Sequence, residues 1–144
     1  MFGILMAILS GAAMSLQGVM NTRLSEKIGL LESNSFVQGT AFVLSLIAML
    51  AFGKGNFSRI SSVSWPYLLG GALGLFITVG VMVSIRELNA TVAISIILIS
   101  QILLAALIDA FGWMGSEKIP FGWQKYVAIA LMISSVILFK WQTR

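Results

Sequence analysis

Apolar positions in this chain fall into five long runs, separated by short stretches that hold nearly all the charge. Residues 2–22 are uncharged up to Arg23, and a polar loop follows from Arg23 to Glu32. Residues 33–52 form a second run between Glu32 and Lys54, with Ser33 or Asn34 placed to cap it. Residues 65–85 open on Ser64-Trp65-Pro66, where proline suits a first helical turn, and close at Arg86-Glu87. Residues 88–111 carry no charge before Asp109 and end at Gly112, a natural helix C-cap. Residues 121–141 follow Pro120, with Lys125 and Lys140 able to snorkel to the membrane surfaces. About 20 apolar residues span a bilayer core as an α-helix. The pattern predicts an all-α integral membrane protein of five transmembrane helices in a single transmembrane domain, 1–144. The first run lacks the basic n-region of a signal peptide and reads as an uncleaved span.

Within the runs, small and polar residues share faces. At about 100° per residue, Gly11, Ser15, Gly18 and Thr22 make a smooth stripe, with Gln17 and Asn21 on the adjoining face. Gln38 and Ser45 share a face of the second helix beside Gly39. Gly70 and Gly74 form a GxxxG pair, with Gly71 next to it, and such small residues let membrane helices approach closely. On the fourth helix Gln101, Ala105, Asp109, Thr91 and Ser95 fall within an arc of about 120°, opposite Ile96, Leu103 and Leu107. Lipid cannot satisfy such an arc, so it is expected to face protein or a cavity.

Composition narrows the function. Hydrophobic residues make up 58% of the 144 and charged residues 10%, against about 25% charged in a soluble domain. All four Trp (65, 113, 123, 141) and both Tyr (67, 126) sit at span ends, as an interfacial aromatic belt requires. A multi-pass protein of the cell membrane is the expectation. With no Cys and no His, disulfides, thiol chemistry, the usual zinc sites and histidine relays are excluded. No enzyme chemistry, metal or cofactor is expected. The net charge of +4 is spread singly over helix ends, which fits membrane flanking and no nucleic-acid partner.

Those charges also bear on orientation. Lys54, Arg59, Lys118 and Lys125 fall on one side of a five-span topology, and Arg23, Lys27, Arg86, Lys140 and Arg144 on the other. The near balance leaves two readings. Either subtler cues fix one orientation, or the chain inserts both ways and pairs with an inverted copy.

Three motifs then carry a resemblance: Gln17-Gly18-x-x-Asn21-x-x-Leu24, Gly70-Gly71-x-Leu73-Gly74, and Gln101 followed by Asp109-x-Phe111-Gly112-x-x-Gly115. In this order, over nearly the whole chain, they resemble the YdcZ-type family of the drug/metabolite transporter superfamily. The resemblance implies five spans per chain in the bacterial inner membrane, working as antiparallel homodimers, paired homologous chains or fusions. The ten-helix inverted-repeat bundle is the architecture it implies. Two positions depart from the family pattern: Ser100 stands where glycine is common, and Ala110 where histidine is common. The second leaves Asp109 without a neighbouring titratable partner, so no proton relay through such a pair is expected.

The functional expectation is a small-molecule transporter working by alternating access as an inverted dimer. Its pocket would be lined by Gln17, Asn21, Gln38, Gln101 and Asp109, and would suit a neutral, zwitterionic or weakly charged substrate. Alternatives are a dual-topology ion channel and a non-transporting membrane subunit that needs a partner. For the amides, interhelical glue competes with substrate contact. For Asp109, disfavoured at a helix C-terminus by the macrodipole, a salt bridge to Lys118 or to a partner's cation competes with a cation or proton site. Gly11, Gly18, Gly39, Gly70, Gly71 and Gly74 are the expected packing positions. Membrane lipids are expected around the whole.

Overall fold

The computed structural model describes residues 1–119 and 122–141. These form five α-helices: α1 (Phe2–Ile28), α2 (Leu30–Phe52), α3 (Gly70–Leu88), α4 (Ala90–Phe111) and α5 (Trp123–Trp141). Each is long and apolar enough to cross a membrane, α3 with a 3-10 lead-in over Trp65–Leu69 that carries Pro66 in its first turn. The described residues contain no strand. The chain divides into two compact units, Met1–Arg86 and a second that begins at Glu87.

In the first unit α1 packs against α2. The expected polar loop at Arg23–Glu32 is instead almost entirely helical. α1 continues through the charged segment to Ile28, and Gly29 alone separates it from α2. Arg23 and Glu26 stabilise the extension as an i,i+3 ion pair at 3.1 Å. Gly29 then turns the chain at φ 102°, ψ 158°, a region essentially restricted to glycine. This early start corrects the capping expectation. Gly29 occupies the N-cap of α2, and Ser33 and Asn34 lie buried inside the helix. α3 meets the other two helices through side chains. The built Cβ position of Gly18 falls 3.0 Å from both Ile85 Cδ1 and Val81 Cγ1, so the smooth spot on α1 receives the tips of α3.

In the second unit α4 packs against α5. Asn89, at φ 69°, alone separates α3 from α4, and its side chain accepts from the Val92 N–H as a helix cap. Gly112 ends α4 in the left-handed conformation, φ 67°, with its N–H donating to the Ile108 carbonyl, the C-cap that the sequence suggests. Pro120, Phe121 (the expected start of the fifth span) and Arg144 lie outside the described residues. Trp65, Trp113, Trp123 and Trp141 are all exposed and stand at helix ends.

Candidate functional site

An α-helix in lipid satisfies its own backbone, so function is sought in polar side chains and in where each finds a partner. Six of the hydroxyls need none from outside their own helix. Ser15, Thr40, Ser45, Ser95, Ser100 and Ser134 each donate to a carbonyl one turn earlier on their own helix, at 2.7–3.1 Å. The amides divide into two groups.

Asn21, Asn34 and Gln38 turn inward. Near the α1–α2 turn, Asn21, Thr22, Ser25, Ser33 and Asn34 form a buried polar cluster. Ser33 Oγ donates to the Asn21 carbonyl at 3.3 Å and contacts Met82 Sδ at 3.7 Å. Arg86 donates to Ser25 Oγ at 3.4 Å, so the cluster ties all three helices of this unit. Deeper in the membrane, Gln38 Nε2 donates to Thr78 Oγ1 at 3.3 Å, and Thr78 donates in turn to the Gly74 carbonyl at 2.8 Å. Gly74 gives Gln38 its seat, since its built Cβ falls 3.6 Å from Nε2. Gln38 is thus an interhelical bond between α2 and α3.

Asn34 carries a prediction. It is 4% exposed, and its Oδ1 is buried with no hydrogen-bond partner among the described residues. Replacing an unsatisfied polar group by an apolar one of similar shape is nearly neutral or stabilising, whereas a charge there is costly. Asn34→Leu is therefore expected within about 1 kcal/mol of wild type in thermal unfolding. Asn34→Asp is expected to lose more than about 2 kcal/mol. A collapse of the leucine variant would mean that Oδ1 has a partner.

Gln17 and Gln101 turn outward. Both are exposed, and neither has a hydrogen-bond partner among the described residues. Gln101 lies eleven residues beyond Ala90, about 16 Å along α4, close to the middle of that helix. Gln17 lies eleven residues before Ile28, about 16 Å from the end of α1. Within their own units, both amides are unmet.

Asp109 occupies a third setting. It is half-buried near the end of α4 and lines a cavity of about 250 Å³ with Lys125, Ile102, Ala105, Ala106, Ala128 and Ile129. The cation that shares this cavity is Lys125. Lys118, the sequence candidate, lies beside Gly112 across the turn. A larger cavity, about 590 Å³, lies under the loop after α2, lined by Met49, Phe57, Arg59 and Ile60 among others, and contains none of the expected site residues. The described residues hold no cluster of His, Cys, Asp or Glu able to bind a metal.

The model of the family DMT_YdcZ, described as "Putative inner membrane exporter, YdcZ", matches residues 2–138. The chain belongs to the YdcZ family. No curated protein and no solved structure matches it. Membership of an inner-membrane exporter family, with five membrane-spanning helices, makes this a multi-pass inner-membrane protein of a transport family.

The residues that carried the YdcZ resemblance now separate by role. In Gln17-Gly18-x-x-Asn21, Gly18 and Asn21 are buried and Gln17 is exposed. In Asp109-x-Phe111-Gly112-x-x-Gly115, the glycines adopt φ 67° and 78°, and Phe111 stacks on Trp113 at 5.2 Å between ring centres. The Ile119 N–H then returns to the Asp109 carbonyl at 2.9 Å. This part of the motif builds a compact helix end. Sequence reasoning missed Thr78 and Lys125. Thr78 was legible as the residue four after Gly74, whereas Lys125 was absorbed into the count of flanking charges.

Proposed function

We propose that this YdcZ-family chain is one half of a small-molecule carrier, completed by a second chain in inverted orientation, and that Gln17 and Gln101 contact the substrate. The observation that carries this reading is the outward exposure of two mid-helix amides without partners, beside hydroxyls such as Ser15, Ser95 and Ser100 that bond carbonyls of their own helices. A bare amide facing lipid is costly, so these two call for another chain or a wet cavity. Transporters built from inverted repeats place their substrate site near the bilayer midplane, between the repeats. The balance of basic residues across the two faces is consistent with insertion in both orientations. Asn21 and Gln38 shape the wall by fixing the helices that carry it. A pocket of amides suits a neutral or zwitterionic substrate, and access would alternate by one half rocking against the other.

The natural sequence has no cysteine, so single-cysteine variants can be labelled without background. A cysteine on the loop at Gly55 is expected to react from both sides of the membrane, and reconstituted protein is expected to show saturable flux. Labelling from one side only would remove the inverted homodimer. Flux far above the rate of a μs–ms conformational cycle would replace the carrier by a channel.

A further inference from the structure

The loop between α2 and α3 carries a pattern of its own. Residues 57–62 form a 3-10 helix, capped by the Asn56 side chain, which accepts from the Ser58 N–H at 2.9 Å. At three residues per turn, positions i and i+3 eclipse. Phe57 and Ile60 therefore share one edge, Val63 follows in the same register, and all three are exposed. They wall the cavity of about 590 Å³ together with Met49 and Leu50 from the last turn of α2. The apolar edge thus borders a cleft that the protein does not fill. This cleft lies at the membrane interface. It begins where the second span ends at Phe52, and the exposed rings of Trp65 and Tyr67 stand at the start of the third.

Charge decides what fits there. Arg59 lines the cavity, and its guanidinium has no hydrogen-bond or ion-pair partner among the described residues. Lys54, exposed and likewise unpaired among the described residues, sits between Gly53 and Gly55, two further lining residues. No Asp or Glu occurs from Ser33 to Arg86, so the loop and the spans around it supply no counter-charge. An occupant must bring an anion to Arg59 and hydrocarbon to the walls. A soluble anion leaves Phe57, Ile60 and Val63 wet. A zwitterionic lipid brings a cation that no carboxylate receives. We propose that this cleft binds an anionic phospholipid of the phosphatidylglycerol class. Its phosphate accepts from the Arg59 guanidinium, whose planar fork matches phosphate oxygens in a charge-assisted pair. Lys54 adds attraction at the membrane surface. The first methylenes lie along Leu50, Phe57 and Ile60, and the acyl tails continue into the bilayer. The volume, about twenty waters at ~30 Å³ each, admits a headgroup and the start of its chains.

This site does not depend on the carrier reading, because lipid binding is read without flux. The test is lipid binding to the purified, detergent-solubilised protein, followed by thermal shift and native mass spectrometry. The probes are phosphatidylglycerol, phosphatidylethanolamine, phosphatidylcholine and water-soluble glycerophosphoglycerol. Phosphatidylglycerol is expected to bind best. Arg59→Gln is expected to weaken it about fivefold, the share of one basic residue at about 1 kcal/mol, without changing the melting temperature of the lipid-free protein. Phe57→Ser, which removes part of the apolar wall, is expected to weaken the lipid and leave glycerophosphoglycerol unaffected. Lys27→Gln removes an exposed cation at the end of α1, near the opposite end of α2, and is expected to change nothing. Equal binding of phosphatidylethanolamine, a phosphatidylglycerol preference that survives Arg59→Gln, or an equal loss in Lys27→Gln would overturn the proposal. Glycerophosphoglycerol binding as tightly as the lipid would replace it by a soluble-anion site.

Discussion

Gln101→Leu is expected to lower substrate flux about tenfold or more while leaving the melting temperature of the purified protein unchanged or slightly raised. Tenfold corresponds to about 1.4 kcal/mol, within the ~1–2 kcal/mol that model peptides give for an amide hydrogen bond in a membrane. The side chain is exposed and touches no partner in its own unit, so its removal takes no contact from the fold. Substitutions at such positions usually stay within about 0.5 kcal/mol, and leucine suits lipid better than an amide does. Gln17→Leu is expected to behave in the same way. The comparison that decides the role is assembly. If Gln101→Leu abolishes flux and the proposed dimer persists on cross-linking, the amide contacts substrate. If the dimer dissociates, the amide joins the two chains and the pocket must be sought elsewhere. Gln38→Leu is a useful contrast, because it breaks the bond to Thr78 and should lower stability before it lowers affinity.

Gly18→Leu is expected to produce the largest loss of stability among single glycine substitutions on α1. A Cβ at this position already meets Ile85 Cδ1 and Val81 Cγ1 at 3.0 Å, so the further atoms of leucine have no room. Overpacking of this kind costs about 1–3 kcal/mol, and here it also levers α3, with its Met82, away from the buried Ser33 on α2. Gly18→Ala should be much milder, because both contacts are side-chain tips and alanine gains up to about 1 kcal/mol over glycine in helix propensity. Thermal unfolding of the two variants checks the ordering. Gly11→Leu is the control: a Cβ there meets nothing within 4 Å, and neither does one at Gly39, Gly70 or Gly71. If Gly11→Leu proves as damaging as Gly18→Leu in the monomer, the contact described for α1 and α3 is wrong. If it spares the monomer and prevents pairing, the smooth stripe belongs to the partner.

The five helices were legible because lipid imposes one demand on every residue of a span, and twenty uncharged positions reveal it without tertiary knowledge. The turn at Gly112 was legible for a similar reason, since glycine after a long apolar run has few other uses. The end of α1 was not. Arg23, Glu26 and Lys27 read as loop to a hydropathy count, yet charged residues are good helix formers and pair along the helix beyond the bilayer. The candidate site was only half legible. Helical projection put Gln17, Asn21, Gln38 and Gln101 on polar faces, but an amide looks the same in sequence whether its face meets a neighbour or is left open. Thr78 claims Gln38, and nothing in its own unit claims Gln101. Likewise Lys118 is closer than Lys125 to Asp109 in sequence, but Lys125 stands on a helix that packs along α4.

The one-residue turn at Gly29 has a mechanical consequence. A turn of that length, in a conformation that only glycine adopts readily, has no slack to pay out. α1 and α2 are coupled like the two arms of a staple and must tilt as one lever. α3 is reached from α2 by a tether from Gly53 to Ser64, half of it a single 3-10 segment, Phe57–Ser62. Any bending within the first unit during a transport cycle is therefore expected to be taken up along that tether, and shortening it should slow the cycle without unseating the α1–α2 pair.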